Sequence, residues 1–389
     1  MFLKLAYESK LRLSVNFFLS LKRKIVRRIF RSDRFKHYLE TSFFGQYFVR
    51  RQALKSFDLM AGFVYSQILL CCVKLDIFNF LKDGPKDIGR VFNFLNLDKA
   101  KFDCLFMSAS AIGLIEKDED DLIDLTVQGH IFANDKGLLA LILHHEMFYR
   151  DLMEPVAFLK EKDMETSLNR YWGYVEQRGV PSDAEFEQKT ENAKRYSELM
   201  AISQPLVTDQ MFSAYDFTRH SSVLDVGGGK ASFSIRLAKF VPGIKVANLD
   251  LPEVCEEAKK NVKQAGLVDE IEIIPNNFFE DEIPSGYELV TLIRVLYDHS
   301  EESVIKLLQL IRKSLSSNGK LLIAEPMANN LFSGIRCDAY FWFYLTAMGK
   351  GRPRSSEELI GLLRGCGFSK ARCLKTTLPI QTGIVLAEA

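Results

Sequence analysis

The residues with the most to do chemically lie in the second half of the chain. Val223-Leu224-Asp225-Val226 is a short apolar run carrying one acid, and Gly227-Gly228-Gly229 follow it directly, ahead of Lys230-Ala231-Ser232. A buried strand that enters a glycine turn and then a helix lets the backbone approach a ligand that a Cβ would exclude. NAD-binding folds and plain tight turns share such a loop. Here the spacing departs from GxGxxG, because Ser232 stands where the third glycine would be. Asp250 ends the next strand-like run, in Asn248-Leu249-Asp250-Leu251-Pro252. A carboxylate at that strand tip can accept hydrogen bonds from both ribose hydroxyls of a nucleoside cofactor. The plainer alternative is a helix-capping aspartate beside a structural turn, but loop and acid together are far more specific than either alone.

Two further segments follow in order. Pro275-Asn276-Asn277-Phe278-Phe279 places an amide before two aromatics, which could bind an adenine edge and pack its ring; taken alone, such a segment is more often turn chemistry. Arg294-Val295-Leu296-Tyr297-Asp298-His299-Ser300-Glu301 puts polar groups where a fourth strand meets its helix, a crevice position suited to substrate chemistry. Ser300 is equally suited to cap that helix, with Glu301 and Glu302 favouring its N-terminus. His144-His145-Glu146 lacks the HExxH spacing of a metal site, and adjacent residues do not share a helix face.

The elements that must hold these residues change character along the chain. Beyond Ser221, runs of strand length at Val223–Val226, Lys245–Asp250, Ile271–Pro275, Glu288–Leu296 and Gly319–Ala324 are separated mostly by amphipathic helical segments. Arg372–Thr377 and Gly383–Ala387 read as two closing strands. The order predicts an α/β fold with a doubly wound, largely parallel sheet and a ligand crevice at the strands' C-terminal ends. Before Ser221 the chain is helical. Arg51 to about Leu81 is apolar and stops at Asp83-Gly84-Pro85; shorter helices follow at Asp87–Leu95 and Lys99–Ile112. Gly113-Leu114-Ile115, the acidic Glu116–Asp121 and Leu122–Thr126 then suggest a small β wing, and helices run from Gly137 to Tyr215 around a loop at Pro181-Ser182-Asp183. The reading divides the chain into 1–50, 51–215 and 216–389.

With 389 residues, 47% hydrophobic and 26% charged, the chain has room for two globular cores. Its net charge of +1 hides an asymmetry: residues 1–55 carry 14 Lys/Arg against 3 Asp/Glu. Within them, Phe18, Leu21, Ile25 and Ile29 recur on one helical face, opposite Lys24, Arg27, Arg28 and Arg31. A basic arm on an acidic body points to an anionic surface, a membrane or a nucleic acid; a helix docked on the protein's own body is the equal alternative. The acidic wing argues against gripping phosphates, so no nucleic acid is expected. No run of about 18 apolar residues is evident, Val64–Val73 being too short and interrupted by Ser66 and Gln67, so no membrane span is expected. Lys4, Glu8, Lys10 and Arg12 break any signal-peptide core, which points to a cytoplasmic location. The seven cysteines lack CxxC spacing and sit mostly in apolar contexts, as buried free thiols would; no metal site is expected.

With the four motifs in order, residues 51–389 resemble the class I S-adenosylmethionine-dependent O-methyltransferases of the plant caffeate and hydroxyindole type. The resemblance implies a Rossmann-like seven-stranded sheet behind a helical winged-helix dimerisation domain, and a homodimer. It implies S-adenosyl-L-methionine near Asp225, Gly227, Gly228 and Gly229, with Asp250 at the ribose and Asn277 with Phe278 at the adenine. Leu251 and Arg294 belong to the same cofactor set, and Tyr196 and Met200 match positions that line its methionine end. The family usually has Gly-Asp-aromatic where this chain has Asn276-Asn277.

The bacterial carotenoid branch is the nearer likeness. It rests on the basic arm running into Phe57–Gln67, on Arg294–His299, and on Asp338-Ala339-Tyr340-Phe341 through Gly351-Arg352-Pro353-Arg354. It implies a carotenoid hydroxyl as acceptor and peripheral contact with the cytoplasmic face of an anionic inner or photosynthetic membrane. Phenol-methylating relatives carry a general-base histidine where this chain has Tyr297, while Glu325 remains in place. The helix bearing His144 and His145 lines the substrate pocket in those relatives, so either could be the missing base. A tertiary alcohol is far less acidic than a phenol of pKa ~10, so its proton should leave late, with positioning supplying much of the rate. Two other readings compete: methylation of another apolar ring system such as a tetrapyrrole or polyketide phenol, and a winged-helix regulator that senses S-adenosylmethionine.

Overall fold

The computed structural model describes residues 32–33, 37–38, 41–161, 164–171, 183–328, 334–377 and 382–389; the side chains of 171–198 and 334–336 lie outside this description. The amphipathic segment expected at Phe17–Arg31 and the loop at 181–182 also lie outside it.

The first half is built on α1 (Phe43–Lys74), α2 (Ile77–Leu81), β1 (Lys86–Asp87), α3 (Ile88–Leu95) and α4 (Lys99–Ala111), then β2 (Ile115–Lys117) and β3 (Leu122–Leu125). β3 pairs antiparallel with β1 on one side and β2 on the other, so the small β sheet expected after the third helix is present. Helix starts are set locally: the Asp87 carboxylate accepts from Gly89 N and Arg90 N, and that of Asp98 from Lys101 N. A single helix to Leu81 does not form, because Asp76 takes a left-handed φ of 56° and divides α1 from α2. α1 also corrects the expectation about membrane-length segments. It is one 32-residue helix, long and apolar enough to cross a membrane, with mean hydropathy 1.6 over 18 residues. Ser66 and Gln67 do not interrupt it, since a helix satisfies its own backbone whatever the side chain.

Helices α5 (Val127–Asn134), α6 (Lys136–Asp151), α7 (Pro155–Lys160), α8 (Ser167–Tyr171) and α9 (Asp183–Ala214) lead into the second half. There the strands β4 (Ser222–Val226), β5 (Lys245–Asp250), β6 (Ile271–Pro275), β7 (Leu289–Ile293) and β8 (Lys320–Glu325) run parallel, and β12 (Gly383–Glu388) and β11 (Lys370–Leu374) close the sheet antiparallel. A short parallel pair, β9 (Met327–Ala328) and β10 (Arg354–Ser355), lies apart. The seven-stranded order β11-β12-β8-β7-β4-β5-β6 matches the doubly wound expectation. α10 (Ser232–Phe240), α11 (Pro252–Ala265), α12 (Glu301–Ser314), α13 (Gly334–Met348) and α14 (Ser356–Gly365) intervene in sequence. The sheet is buried between two apolar clusters, one containing Leu224, Leu292, Leu308 and Val385, the other Val223, Phe233, Val246 and Ile384.

Two strands differ from expectation. The fourth stops at Ile293 because Arg294 turns left-handed, at φ 57°. The sixth is Lys370–Leu374 rather than Arg372–Thr377, its start set by Lys370 pairing with Glu388. Cysteine burial also differs: Cys71, Cys104 and Cys373 are exposed and only Cys72 and Cys255 are buried, since an apolar neighbourhood in sequence does not say which helix face a residue takes.

Candidate active site

β4 and β5 are adjacent and parallel, so the glycine loop and the Asp250 tip emerge side by side. Gly227 N and Gly228 N both donate to Leu249 O, at 2.8 and 3.1 Å. Gly227 and Gly229 take positive φ, 72° and 57°. At Gly228 a Cβ would stand 2.1 Å from Asn248 Oδ1, so only glycine fits. Asn248 is buried and holds the loop from behind, accepting from Ser234 Oγ at 3.0 Å and donating to Gly229 O at 3.2 Å.

Asp250 accepts from Gly229 N through Oδ2 (2.7 Å) and from Leu251 N through Oδ1 (2.8 Å). Each carboxylate oxygen keeps a further lone pair, enough for a diol. Burial pushes the Asp250 carboxyl up to about 6, against the opposing backbone donors. Asp225 lies beneath the loop rather than in the crevice. Its Oδ1 accepts from Thr291 Oγ1 at 2.6 Å, Oδ2 has no hydrogen-bond partner, and burial raises its pKa to about 7.

These elements surround a cavity of ≈740 Å³. Gly227, Gly228, Gly229, Asp250 and Leu251 form one wall, and Asn277 and Phe278 another; Met200 and Arg294 complete the placed cofactor set. Arg294 reaches back to α9, donating to Ser203 Oγ, Met200 O and Gln204 Oε1 at 2.6–2.8 Å, so it ties β7 to that helix. Tyr196 falls on the early part of α9, whose side chains lie outside the described residues.

Sequence reasoning missed Lys350 and Gln204 and named Phe279 and His299 only within their motifs; all four line the cavity. The His299 ring stands edge-on to Phe279 (5.0 Å, 88°) and Phe278 (6.1 Å, 82°). Burial, then the charges of Lys350 and Arg354, hold its pKa down to about 4, so at neutral pH the imidazole adds a third uncharged ring to this end of the cavity. The second aromatic after Asn277 was the available signal for it. A glycine cradle, an acid with spare lone pairs and an aromatic end fit a nucleoside with a flat base and a ribose diol.

The four residues expected to act on the acceptor do not line this cavity. Tyr297 is buried in an aromatic cluster with Phe148, Phe158, Tyr344 and Met348, against which Met200 packs. The turn carrying it is held from three sides. Tyr297 N donates to Glu325 Oε2 (3.1 Å), Arg352 N donates to Tyr297 O (3.1 Å), and Arg354 donates to Leu296 O (2.8 Å) and His299 O (3.0 Å). Glu325 is fully buried, and burial lifts its pKa to about 7 despite the Arg354 guanidinium. Its contacts therefore shape the turn, which sends Asp298 and His299 into the cavity and Tyr297 away from it.

His144 and His145 lie on α6 and bond across to α13: His144 Nε2 to Tyr344 Oη at 2.8 Å, His145 Nε2 to Tyr340 Oη at 2.7 Å. The sequence expects a histidine titrating near neutrality. Instead burial, then the charge of His145, lowers His144 to about 4, and burial lowers His145 as well.

A family profile described as an O-methyltransferase domain matches residues 149–369. Demethylspheroidene O-methyltransferase of Cereibacter sphaeroides is 34% identical over 360 residues, covering 92% of this chain and 93% of the relative. The protein of the same name from Rhodobacter capsulatus is 35% identical, covering 87% of this chain and 83% of its own. Among solved structures, human N-acetylserotonin methyltransferase in complex with SAM superposes with TM-score 0.69 at 20% identity, over 87% of this chain and 97% of that one. The pyocyanin biosynthetic protein PhzM gives 0.72 at 18% identity, over 87% and 99%. The two structures speak to the fold, and the profile with the two relatives speaks to descent: the chain belongs to the class I S-adenosylmethionine-dependent O-methyltransferase family.

Proposed function

We propose that this enzyme methylates the hydroxyl of a hydroxylated carotenoid, converting a 1-hydroxy to a 1-methoxy end group in carotenoid biosynthesis. The observation that carries the reading is similarity to the demethylspheroidene O-methyltransferase of Cereibacter sphaeroides along more than nine-tenths of both chains. An acceptor side built from Phe148, Phe158, Tyr297, Tyr344 and Met348, beside the cofactor cavity, suits a long apolar substrate. S-adenosylmethionine, when bound, supplies an electrophilic methyl group. In this reading Asp250 holds its ribose, the glycine loop admits its backbone-facing side, and Phe278, Phe279 and His299 pack its base. The test is incubation with methyl-labelled S-adenosylmethionine and a 1-hydroxycarotenoid. Label in the methoxy product is expected; label only in a phenol or tetrapyrrole offered alongside would overturn the reading.

The same substrate implies a place and a partner. A carotenoid dissolves in bilayer, so the enzyme works peripherally on the cytoplasmic face of an anionic membrane, through its basic first 50 residues. Each cation near the surface contributes about 1 kcal/mol. A second copy of the chain covers the exposed apolar surface of α1, where Phe43, Phe44, Leu59 and Phe63 are each more than 70% exposed. The full chain should sediment with anionic vesicles at low salt and be released at high salt. Removing residues 1–50 should abolish that binding, and the full-length protein alone should sediment as a dimer. Equal vesicle binding by both forms would count decisively against the arm.

A further inference from the structure

The aromatic cluster beside the cofactor cavity contains two histidine–tyrosine pairs one above the other. His144 and His145 are neighbours on α6, and Tyr340 and Tyr344 lie one turn apart on α13. The two tyrosine rings stack at 5.7 Å and 15°, which keeps both hydroxyls on the α6 side. The inner pair is closed: His144 and Tyr344 are 7% and 6% exposed. The outer pair, His145 and Tyr340, keeps part of its surface and is walled by Phe148 and Tyr149. An acceptor hydroxyl brought against this apolar cluster would have to find a polar partner there or lose the free energy of its hydration.

We propose that Tyr340 receives the acceptor hydroxyl and hands its proton on to His145 during methyl transfer; this rests on the alcohol-methylating function above. Tyr340 is the catalytic contact, and His145 is a positioning residue that acts through it. With the imidazole neutral and its proton on Nδ1, Nε2 accepts from Tyr340 Oη–H, and the phenol oxygen's lone pairs are left to accept from the acceptor O–H. The acceptor oxygen forms its bond to the methyl carbon as the carbon–sulfur bond breaks, the electron pair of that bond staying on sulfur. The acceptor's proton passes to Tyr340 Oη while the tyrosine's own proton passes to His145 Nε2. The products are a methyl ether, S-adenosylhomocysteine and an imidazolium, which returns its proton to water.

The environment of the pair suits this order. Burial raises the Tyr340 phenol well above its usual range and lowers the His145 imidazole, so at neutral pH both rest uncharged. A base of low pKa suffices, because the oxygen being alkylated becomes far more acidic than any imidazolium before it loses its proton. A phenol that gives up one proton as it takes another carries no formal charge itself, and the positive charge lost by the sulfonium ends on the half-buried imidazole.

Tyr340→Phe keeps the ring stack and removes only the hydroxyl. Its kcat should fall ~10²-fold, the usual scale for losing proton transfer, while acceptor KM moves less than ~10-fold, the limit for one neutral hydrogen bond. S-adenosylmethionine affinity by calorimetry and the melting midpoint should be unchanged. His145→Gln should lose a similar factor in kcat, and the double variant should be no slower than the slower single one, as expected of groups acting as a unit. In the resting enzyme, the nitrogen NMR shift of His145 Nε2 should be that of an unprotonated acceptor and should change in Tyr340→Phe. Normal turnover of Tyr340→Phe, single losses that multiply in the double variant, or a protonated Nε2 would each overturn the relay. If the wild type leaves carotenoids unmodified, the substrate reading alone has failed. The variants are then compared on whichever acceptor the wild type methylates, with the NMR outcome standing by itself.

Discussion

Replacing Arg354 by methionine is expected to destabilise the enzyme by ~3–5 kcal/mol, the cost of removing one partner from a buried charged network. Arg354 is fully buried, and its guanidinium donates to Leu296 O and His299 O. Methionine fills similar volume but leaves both carbonyls without that donor. It also leaves Glu325, equally buried, without its compensating charge. Because burial already lifts Glu325 to about 7, the variant should relieve itself by taking up a proton. The sign follows from the folded pKa lying above the unfolded one: stability is fully present below the unfolded value and is lost as pH rises through the folded value. Loss of Arg354 raises the folded value further, so the deficit should be larger at pH 8 than at pH 6. Adding Glu325→Gln should recover part of it at the higher pH. Denaturant unfolding at both pH values checks this, and a deficit under 1 kcal/mol independent of pH would mean that the turn at Leu296–His299 does not depend on the arginine.

For Asp250→Ala, the expected result is S-adenosylmethionine binding weaker by ~1.5–3 kcal/mol in a protein that still folds. The variant loses the acceptor for the ribose diol and also frees Gly229 N and Leu251 N, which the carboxylate now holds at 2.7 and 2.8 Å. Both amides stand at the ligand crevice, where water can replace the lost acceptor, so the effect falls on binding rather than on the sheet. The diol needs an ionised acceptor, and burial has moved this carboxyl up to about 6. Wild-type affinity should therefore be full above that value and decline as pH falls through it, and Asp250→Ala should remove that decline. Unchanged calorimetric affinity in the folded variant would sink the ribose assignment.

The cofactor half of the site was legible in sequence because its parts converge by necessity. In a parallel sheet the ends of neighbouring strands lie together, so a glycine loop after β4 and an acid at the tip of β5 meet whatever else the chain does. The same logic brought Asn277 and Phe278 into the cavity. It did not extend to Asp225, whose alternation on β4 turns its side chain under the loop toward Thr291.

The acceptor half was not legible, because it is assembled from partners far apart in the chain. His144 and Tyr344 are separated by 200 positions, and His145 and Tyr340 by 195. Nothing local to His144-His145-Glu146 indicates that each imidazole meets a phenol, or that burial lowers the pKa of both. Tyr297 shows the same limit from the other side. It follows β7, where the motif reading puts it in the crevice for substrate chemistry, but the left-handed Arg294 and the hold of Arg354 and Glu325 turn it into the aromatic cluster. The sequence by itself determined the sheet, the glycine cradle and the acid beside it, since strand period, glycine conformation and parallel order are local or follow from topology. Only the tertiary structure decided which side chains of α6 and α13 meet and in which direction their titration moves, because packing between distant helices sets burial, and burial disfavours charge.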